Sequence, residues 1–291
     1  MATAVVPKIK SLLEMIKFSH TIFAFPFALI GMVLAAHANG EMPSVAQLFW
    51  ICMAMVGARS GAMGLNRLLD ARIDALNPRT AERHIPAGLI TQWEAWAFVT
   101  LSFAGLLLSA YMLNPLCFYL SPIALFFLAL YSFAKRFTAY AHIVLGLCLG
   151  AAPVGAWIAL RGDVTVSIVL IGLAVLLWVA GFDILYALQD LDFDREQGLH
   201  SIPVTLGEEG SFLVVRMFHV GMIVLLLLAA PGSGLGWIYL LGVATVSAML
   251  IYEHTLVKPG DLSKMDAAFF TLNGYISVTL FFFVLLDVVV Q

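Results

Sequence analysis

Nine stretches of roughly twenty apolar residues constrain this chain more than any other feature. They run over 18–37, 45–65, 93–113, 115–134, 139–160, 165–188, 211–230, 234–253 and 268–290. A helix of about 20 apolar residues crosses the hydrocarbon of a bilayer. Of the 291 residues, 62% are hydrophobic and 11% charged, where a soluble domain has about 45–50% apolar and about 25% charged residues. No long polar stretch interrupts the apolar runs. The reading is therefore an all-α integral membrane protein of nine transmembrane helices, one transmembrane domain over 1–291, with the lipid bilayer as its surroundings. A formal net charge of -3 suggests no nucleic-acid partner. The third and fourth stretches are split only by Asn114-Pro115, a turn signal that predicts a tight helical hairpin.

The three cysteines, Cys52, Cys117 and Cys148, each sit alone in an apolar run without metal-ligand spacing. Lys8, Lys10, Glu14 and Lys17 precede the first run, which does not read as a cleaved signal.

Basic residues orient the spans. Lys8, Lys10 and Lys17 lie before the first; Arg67, Arg72, Arg79 and Arg83 follow the second; Lys135 and Arg136 follow the fourth; Arg195 follows the sixth; Lys258 and Lys264 follow the eighth. Arg161 alone falls on the opposite side. Nine crossings keep this alternation, and it predicts a cytoplasmic N-terminus and an outer C-terminus. The two long joints, 66–92 and 189–210, then face the cytoplasm, and long polar joints are where function tends to lie.

Each long joint opens on an acidic motif. In the first, Asn66, Asp70 and Asp74 are spaced i, i+4, i+8, which stacks them on one face of a helix. In the second, Tyr186, Asp190 and Asp194 repeat the spacing, and Asp192 points off the stripe. Like charges so placed at the end of an apolar segment are costly. A bound cation explains them, and hard oxygen ligands suit magnesium on a substrate phosphate. The bland alternative is a set of solvated carboxylates paired with nearby arginines. Asp70 to Asp190 and Asp74 to Asp194 are both 120 residues apart, and Arg83-His84-Ile85-Pro86 is echoed by His200-Ser201-Ile202-Pro203. The chain thus reads as two four-helix repeats, about 18–134 and 139–253, plus a ninth helix at 268–290. Repeats of this kind are expected to bring their motifs together around a central cavity.

With Asn66-x-x-x-Asp70-x-x-x-Asp74 and its tail Asn77-Pro78-Arg79-Thr80, Tyr186-x-x-x-Asp190-x-x-x-Asp194, and Tyr131-Ser132-Phe133-Ala134-Lys135-Arg136, the sequence resembles the UbiA superfamily of intramembrane prenyltransferases over nearly its whole length. The resemblance implies nine helices around a cavity capped by the two long joints. It implies two Mg2+ ions bridging the diphosphate of a polyprenyl diphosphate, held by Asn66, Asp70, Asp74, Asp190 and Asp194. It also implies transfer of the polyprenyl group to an aromatic acid or phenol in quinone biosynthesis at a bacterial inner membrane. The Asn66 set is expected to give its metal one more protein ligand than the Tyr186 set.

Other residues take expected roles within that frame. Arg59 lies two turns before Asn66 on the same face, and an arginine inside a membrane helix is a functional candidate. It is expected to contact diphosphate or an acceptor carboxylate, and Arg72, Arg83, Lys135 and Arg136 to contact phosphate. Asp183, deeper than Asp190, is a candidate for removing the ring proton or orienting an acceptor hydroxyl; the alternative is a structural pair with an arginine. Tyr131 and Tyr186 would face the allylic cation with their rings. His20, in Ser19-His20-Thr21, stands where many 4-hydroxybenzoate enzymes of the family carry an Arg-x-Asp-Lys-Pro-type segment. This departure is closer to the futalosine-type menaquinone branch, so the acceptor is 4-hydroxybenzoate or a dihydroxynaphthoate.

Two competing functions remain open at this point: another prenylation of the same type, of haem or chlorophyll, and a metal-coupled membrane transporter. The latter should carry broken helices near mid-membrane, and Gly150 and Pro153 mark the fifth span as the place to look.

Overall fold

The computed structural model describes residues 2–17, 25–265 and 271–291, with side chains described from Lys8 onward except that of Ile9. The described residues are helical: α1 Ala2–Met15, α2 Phe25–Asn39, α3 Val45–Leu76, α4 Gln92–Leu113, α5 Pro115–Ala134, α6 Ala141–Arg161, α7 Val166–Ala187, α8 Leu191–Glu196, α9 Ile202–Ser233, α10 Trp237–Leu256 and α11 Asn273–Val290. Eight long helices, counting α7 with its extension to Glu196, have the length and composition to cross a membrane, and α2 is a shorter apolar ninth. The chain is an all-helical, multi-pass membrane protein. Many large apolar side chains, among them Leu101, Phe126 and Leu213, lie on the outside, where lipid tails and not water are their solvent. Trp93 and Trp237 are exposed in the first turns of α4 and α10, as expected of interfacial aromatics.

Two joints differ from the sequence reading. The 66–92 joint begins as helix, because α3 continues to Leu76. At about 1.5 Å per residue its 32 residues span about 48 Å, against about 30 Å of hydrocarbon, so its last turns project past the membrane core. The 189–210 joint is also largely helical, holding α8 and the start of α9. Gly207 (φ 70°, ψ -174°) breaks α9 in a conformation that only glycine adopts readily.

The helices sort into two packing units. Among the described residues, one contains 2–17 and 49–133, the other 25–48, 134–265 and 271–291. The packing units therefore do not follow the sequence repeats: α2 packs with α6 and α11.

In the first unit, α3 meets α4 through small residues. A Cβ at Gly57 would press on the Ser102 carbonyl at 2.6 Å, and one at Gly61 would strike the Phe103 ring. Such close approach is how membrane helices gain packing without a hydrophobic driving force. Helix α1, which the sequence did not announce, docks on this unit. Met15 and Ile16 enter a core with Leu65, Leu68, Ile90 and Val99. The Lys8 ammonium meets Glu94 at 2.8 Å, and Glu94 closes a capping box with Thr91 at the start of α4.

In the second unit, Phe27, Trp178, Met222, Tyr239 and Ile276 join one core. Trp178 Nε1 donates to Asn273 Oδ1 at 2.9 Å, which satisfies the indole N–H inside the apolar interior. Helix α6 runs unbroken from Ala141 to Arg161. Gly150 serves packing there, since a Cβ would collide with the Gly172 carbonyl of α7. The broken helix expected of a transporter is absent from α6.

Candidate functional site

The first motif lies on one continuous helix, as its spacing predicts. Asp70 is 1% exposed and Asp74 4%. Asn66 Nδ2 donates to Asp70 Oδ2 at 3.1 Å, one helical turn on. Arg83 Nη1 donates to Asp74 Oδ1 at 2.6 Å, whereas Asp74 Oδ2 is buried without a hydrogen-bond partner.

The tail of the motif explains how Arg83 reaches Asp74. Asn77 Oδ1 accepts from the Arg79 amide at 2.9 Å, a side-chain turn that competes with helix. Pro78 follows and cannot continue the α3 hydrogen-bond ladder. Thr80 Oγ1 donates to the Asp74 carbonyl at 3.0 Å, folding the chain back beside the stripe. The next turn, at Gly88 (φ 73°), closes with Gly88 N to Ile85 O at 3.0 Å and Leu89 N to His84 O at 2.9 Å, a Schellman arrangement that needs a left-handed residue. So Asn77-Pro78-Arg79-Thr80 builds the loop, and the loop delivers Arg83 to the carboxylate.

The second motif departs from the expectation. Helix α7 ends at Ala187, a 3-10 turn covers Leu188–Asp190, and α8 begins at Leu191. Three residues per turn in place of 3.6 rotates the stripe, so Tyr186, Asp190 and Asp194 do not share one regular helix face. Asp190 itself has φ -106° and ψ 10°, in the sparsely populated bridge region. Asp190 and Asp194 are partly buried, and Asp192 is turned out to solvent with a 95% exposed side chain. Gly198 closes the segment, with Leu199 N donating to the Asp194 carbonyl at 2.9 Å and His200 N to the Lys135 carbonyl at 2.8 Å. That last bond ties Lys135 to the loop after the second motif, within the same unit.

The other expected residues distribute as follows. Arg59, Arg72, Arg83 and Tyr131 belong to the unit of the first motif, and Lys135, Arg136, Asp183 and Tyr186 to that of the second. Arg59 Nε is buried with no hydrogen-bond partner. Arg72 and Arg136 are exposed, and Tyr131, Lys135 and Tyr186 are partly buried. His20 lies outside the described residues. Asp183 does not pair with an arginine: its Oδ2 meets His142 Nδ1 at 2.7 Å. Two participants were missed in the sequence. Arg67, counted there only as an orienting charge, is buried, donates to the Met15 carbonyl at 3.5 Å and feels the charges of Asp70, Asp74 and Arg83. His142 carries no motif of its own.

The donor set suits a hard cation. Among the described residues no three His, Cys, Asp or Glu side chains converge as a metal cage, but magnesium binds through one or two carboxylates plus substrate phosphates and water. The orphaned Asp74 Oδ2 is a buried anionic acceptor, which a cation would satisfy.

The sequence profile described as the UbiA prenyltransferase family matches residues 24–282. A curated 4-hydroxybenzoate octaprenyltransferase of Escherichia fergusonii is 30% identical over 243 residues, 82% of this chain and 83% of that protein. The apo structure of a UbiA homolog from Aeropyrum pernix is 33% identical, with a TM-score of 0.82 over 92% of this chain and 98% of that one. A UbiA homolog from Archaeoglobus fulgidus bound to GPP and Mg2+ shares the fold at 18% identity, with a TM-score of 0.73 over 96% of this chain and 99% of that one.

Proposed function

Because the chain belongs to the UbiA prenyltransferase family, we propose that this membrane prenyltransferase transfers a polyprenyl group from polyprenyl diphosphate to the ring of an aromatic quinone precursor. The whole of 1–291 acts as one domain. The observation that carries the reading is the buried stripe of α3, with Asp70 and Asp74 almost fully enclosed and one Asp74 oxygen unsatisfied.

Asn66, Asp70 and Asp74 would hold one magnesium ion and Asp190 and Asp194 a second, the ions serving the diphosphate of the substrate. When bound, the metal supplies positive charge that neutralises the leaving diphosphate. Magnesium bound with GPP in the Archaeoglobus homolog supports magnesium as the metal and a prenyl diphosphate as its substrate partner. Arg59, Arg72, Lys135 and Arg136 add cationic contacts to phosphate or to the carboxylate of the acceptor. Arg83 secures Asp74. The rings of Tyr131 and Tyr186 stabilise the allylic cation as the C–O bond breaks. The aromatic ring attacks that cation, and Asp183 takes the ring proton. Enclosure keeps water from the cation.

Similarity to 4-hydroxybenzoate octaprenyltransferases supports a hydroxybenzoate acceptor, and the Ser19-His20-Thr21 segment supports a dihydroxynaphthoate. The arrangement of basic residues supports a site on the cytoplasmic face, with the N-terminus inside and the C-terminus outside, and the family reading adds a bacterial inner membrane as the setting.

Purified protein in detergent, given magnesium and a polyprenyl diphosphate, is offered 4-hydroxybenzoate, dihydroxynaphthoates, and haem or chlorophyll precursors. Prenylation of a phenolic acid that EDTA stops and magnesium restores is the expected result. Asp70→Asn and Asp190→Asn should each remove turnover while the protein stays monodisperse. Full activity in either variant sinks the metal assignment, and transfer only to a haem or chlorophyll precursor sinks the aromatic acceptor.

A further inference from the structure

Asp183 lies on α7 nearly two turns before Asp190, and a carboxylate at that depth needs a partner. Its partner is His142, in the first turn of α6. The two meet because α6 and α7 run antiparallel in near contact. A Cβ at Gly146 would strike the Leu176 carbonyl, one at Gly150 the Gly172 carbonyl, and one at Gly172 would lie 2.8 Å from the Gly150 carbonyl. Following that ladder toward the start of α6 brings His142 opposite the Asp183 turn. Small residues at every step pull the backbones together, and the 2.7 Å bond between His142 Nδ1 and Asp183 Oδ2 follows.

The two side chains are not equally covered. His142 retains 5% of its side-chain exposure and Asp183 19%. His142 Nε2 is buried and has no hydrogen-bond partner. An N–H there would be an orphaned donor. The apolar cover therefore favours the tautomer with its proton on Nδ1. A carboxylate only accepts, so that proton is donated to Asp183.

We propose that His142 is the positioning residue for Asp183: it ties down Oδ2, fixes the carboxylate in one orientation, and leaves Oδ1 to meet the acceptor ring. This rests on the reading that Asp183 removes the ring proton. The step balances. The C–O electron pair leaves with the diphosphate, and a ring π pair forms the new C–C bond. The hydrogen on that ring carbon passes as a proton to Asp183 Oδ1, its C–H pair restores aromaticity, and the carboxyl later returns the proton to water. His142 changes no bond order, in the manner of an orienting group behind a base.

The test compares His142→Leu, His142→Asn, His142→Gln and Asp183→Asn, using the phenolic acceptor preferred by the wild type, with and without deuterium at the substituted ring carbon. In His142→Leu, kcat should fall at least 30-fold, with the KM for polyprenyl diphosphate within about twofold of wild type. A primary isotope effect on kcat should appear that the wild type lacks. His142→Asn, whose amide can donate from near the Nδ1 position, should recover to within about threefold of wild type, and His142→Gln should not. His142→Leu activity within threefold of wild type, a large loss without an isotope effect, or equal activity in the Asn and Gln variants would overturn the proposal. If the leucine variant does not fold, the Asn and Gln pair decides. The tautomer is read without turnover: 15N spectra of histidine-labelled protein should show the His142 proton on Nδ1 and none on Nε2. A proton on Nε2 overturns the proposal even in a protein that prenylates no phenol, an outcome that by itself would refute only the proposed acceptor class.

Discussion

Arg83 donates to Asp74 Oδ1 at 2.6 Å while Asp74 Oδ2 stays buried and unmatched. One oxygen is thus fixed by the protein and the other is held in reserve. Arg83→Ala should leave the carboxylate uncompensated and cost about 1–3 kcal/mol of stability. It should also lower turnover at least tenfold and raise the magnesium concentration for half-maximal rate. Arg83→Lys should restore part of both, because an ammonium keeps the charge but not the planar fork. Thermal unfolding in detergent and a magnesium titration of initial rates measure the two effects; an Arg83→Ala enzyme with an unchanged magnesium requirement would separate Arg83 from the metal site.

Gly207 has φ 70° and ψ -174° inside α9. Any Cβ there is strained by about 1–3 kcal/mol. Gly207→Ala should lower the unfolding temperature, or else straighten the kink and displace Ser201 and Ile202 at the head of α9. An unchanged thermal midpoint would show that the kink is not a feature of the folded protein.

The contrast between the motifs shows what the sequence could carry. Asn66, Asp70 and Asp74 were legible because α3 stays regular from Val45 to Leu76, so spacing maps directly onto a face. Tyr186, Asp190 and Asp194 have identical spacing, yet the 3-10 turn at Leu188–Asp190 changes the rotation per residue, and nothing in Leu188-Gln189 announces it. The spans were legible through length and hydropathy. Helix α1 was not, because its 14 residues are short and mixed in polarity and its anchor, Lys8 to Glu94, joins residues 86 apart. His142 was missed for the same reason: its meaning depends on Asp183, 41 residues on, and on a glycine ladder that reads locally as ordinary apolar helix.

That ladder gives a sharper expectation. A methyl group at Gly150 has no room against the Gly172 carbonyl. Backbone cannot yield as a flexible side chain can, so Gly150→Ala should cost about 1–3 kcal/mol as the helices part. Parting them lengthens the His142–Asp183 bond, so kcat should fall more than protein yield does. Gly155, on the same helix with open space around it, is the control: Gly155→Ala should be neutral or slightly stabilising. Equal behaviour of the two alanine variants in thermal unfolding would contradict the close approach of α6 and α7.

At the other end of the second unit, Asp287 of α11 caps α10 from outside its own helix. Its Oδ2 accepts from the Gly236 amide at 2.7 Å and its Oδ1 from the Tyr239 amide at 3.1 Å. Helix α10 starts on Gly236, which has no side chain to cap with, and a carboxylate at a helix N-terminus is favoured by both hydrogen bonding and the helix dipole. Asp287 is 2% exposed, so water cannot replace it. Asp287→Ala should therefore cost about 2–3 kcal/mol, two charge-assisted bonds weighed against the desolvation they relieve. Asp287→Asn, which keeps one good acceptor, should cost about 1 kcal/mol. Because the helices alternate in direction, this end of α10 is opposite the end where α7 carries Asp190, so the folded fraction of either variant should keep near-normal kcat. A midpoint shift in thermal unfolding with intact specific activity is the expected result; a loss of specific activity in a fully folded Asp287→Asn protein would tie this distant cap to the chemistry.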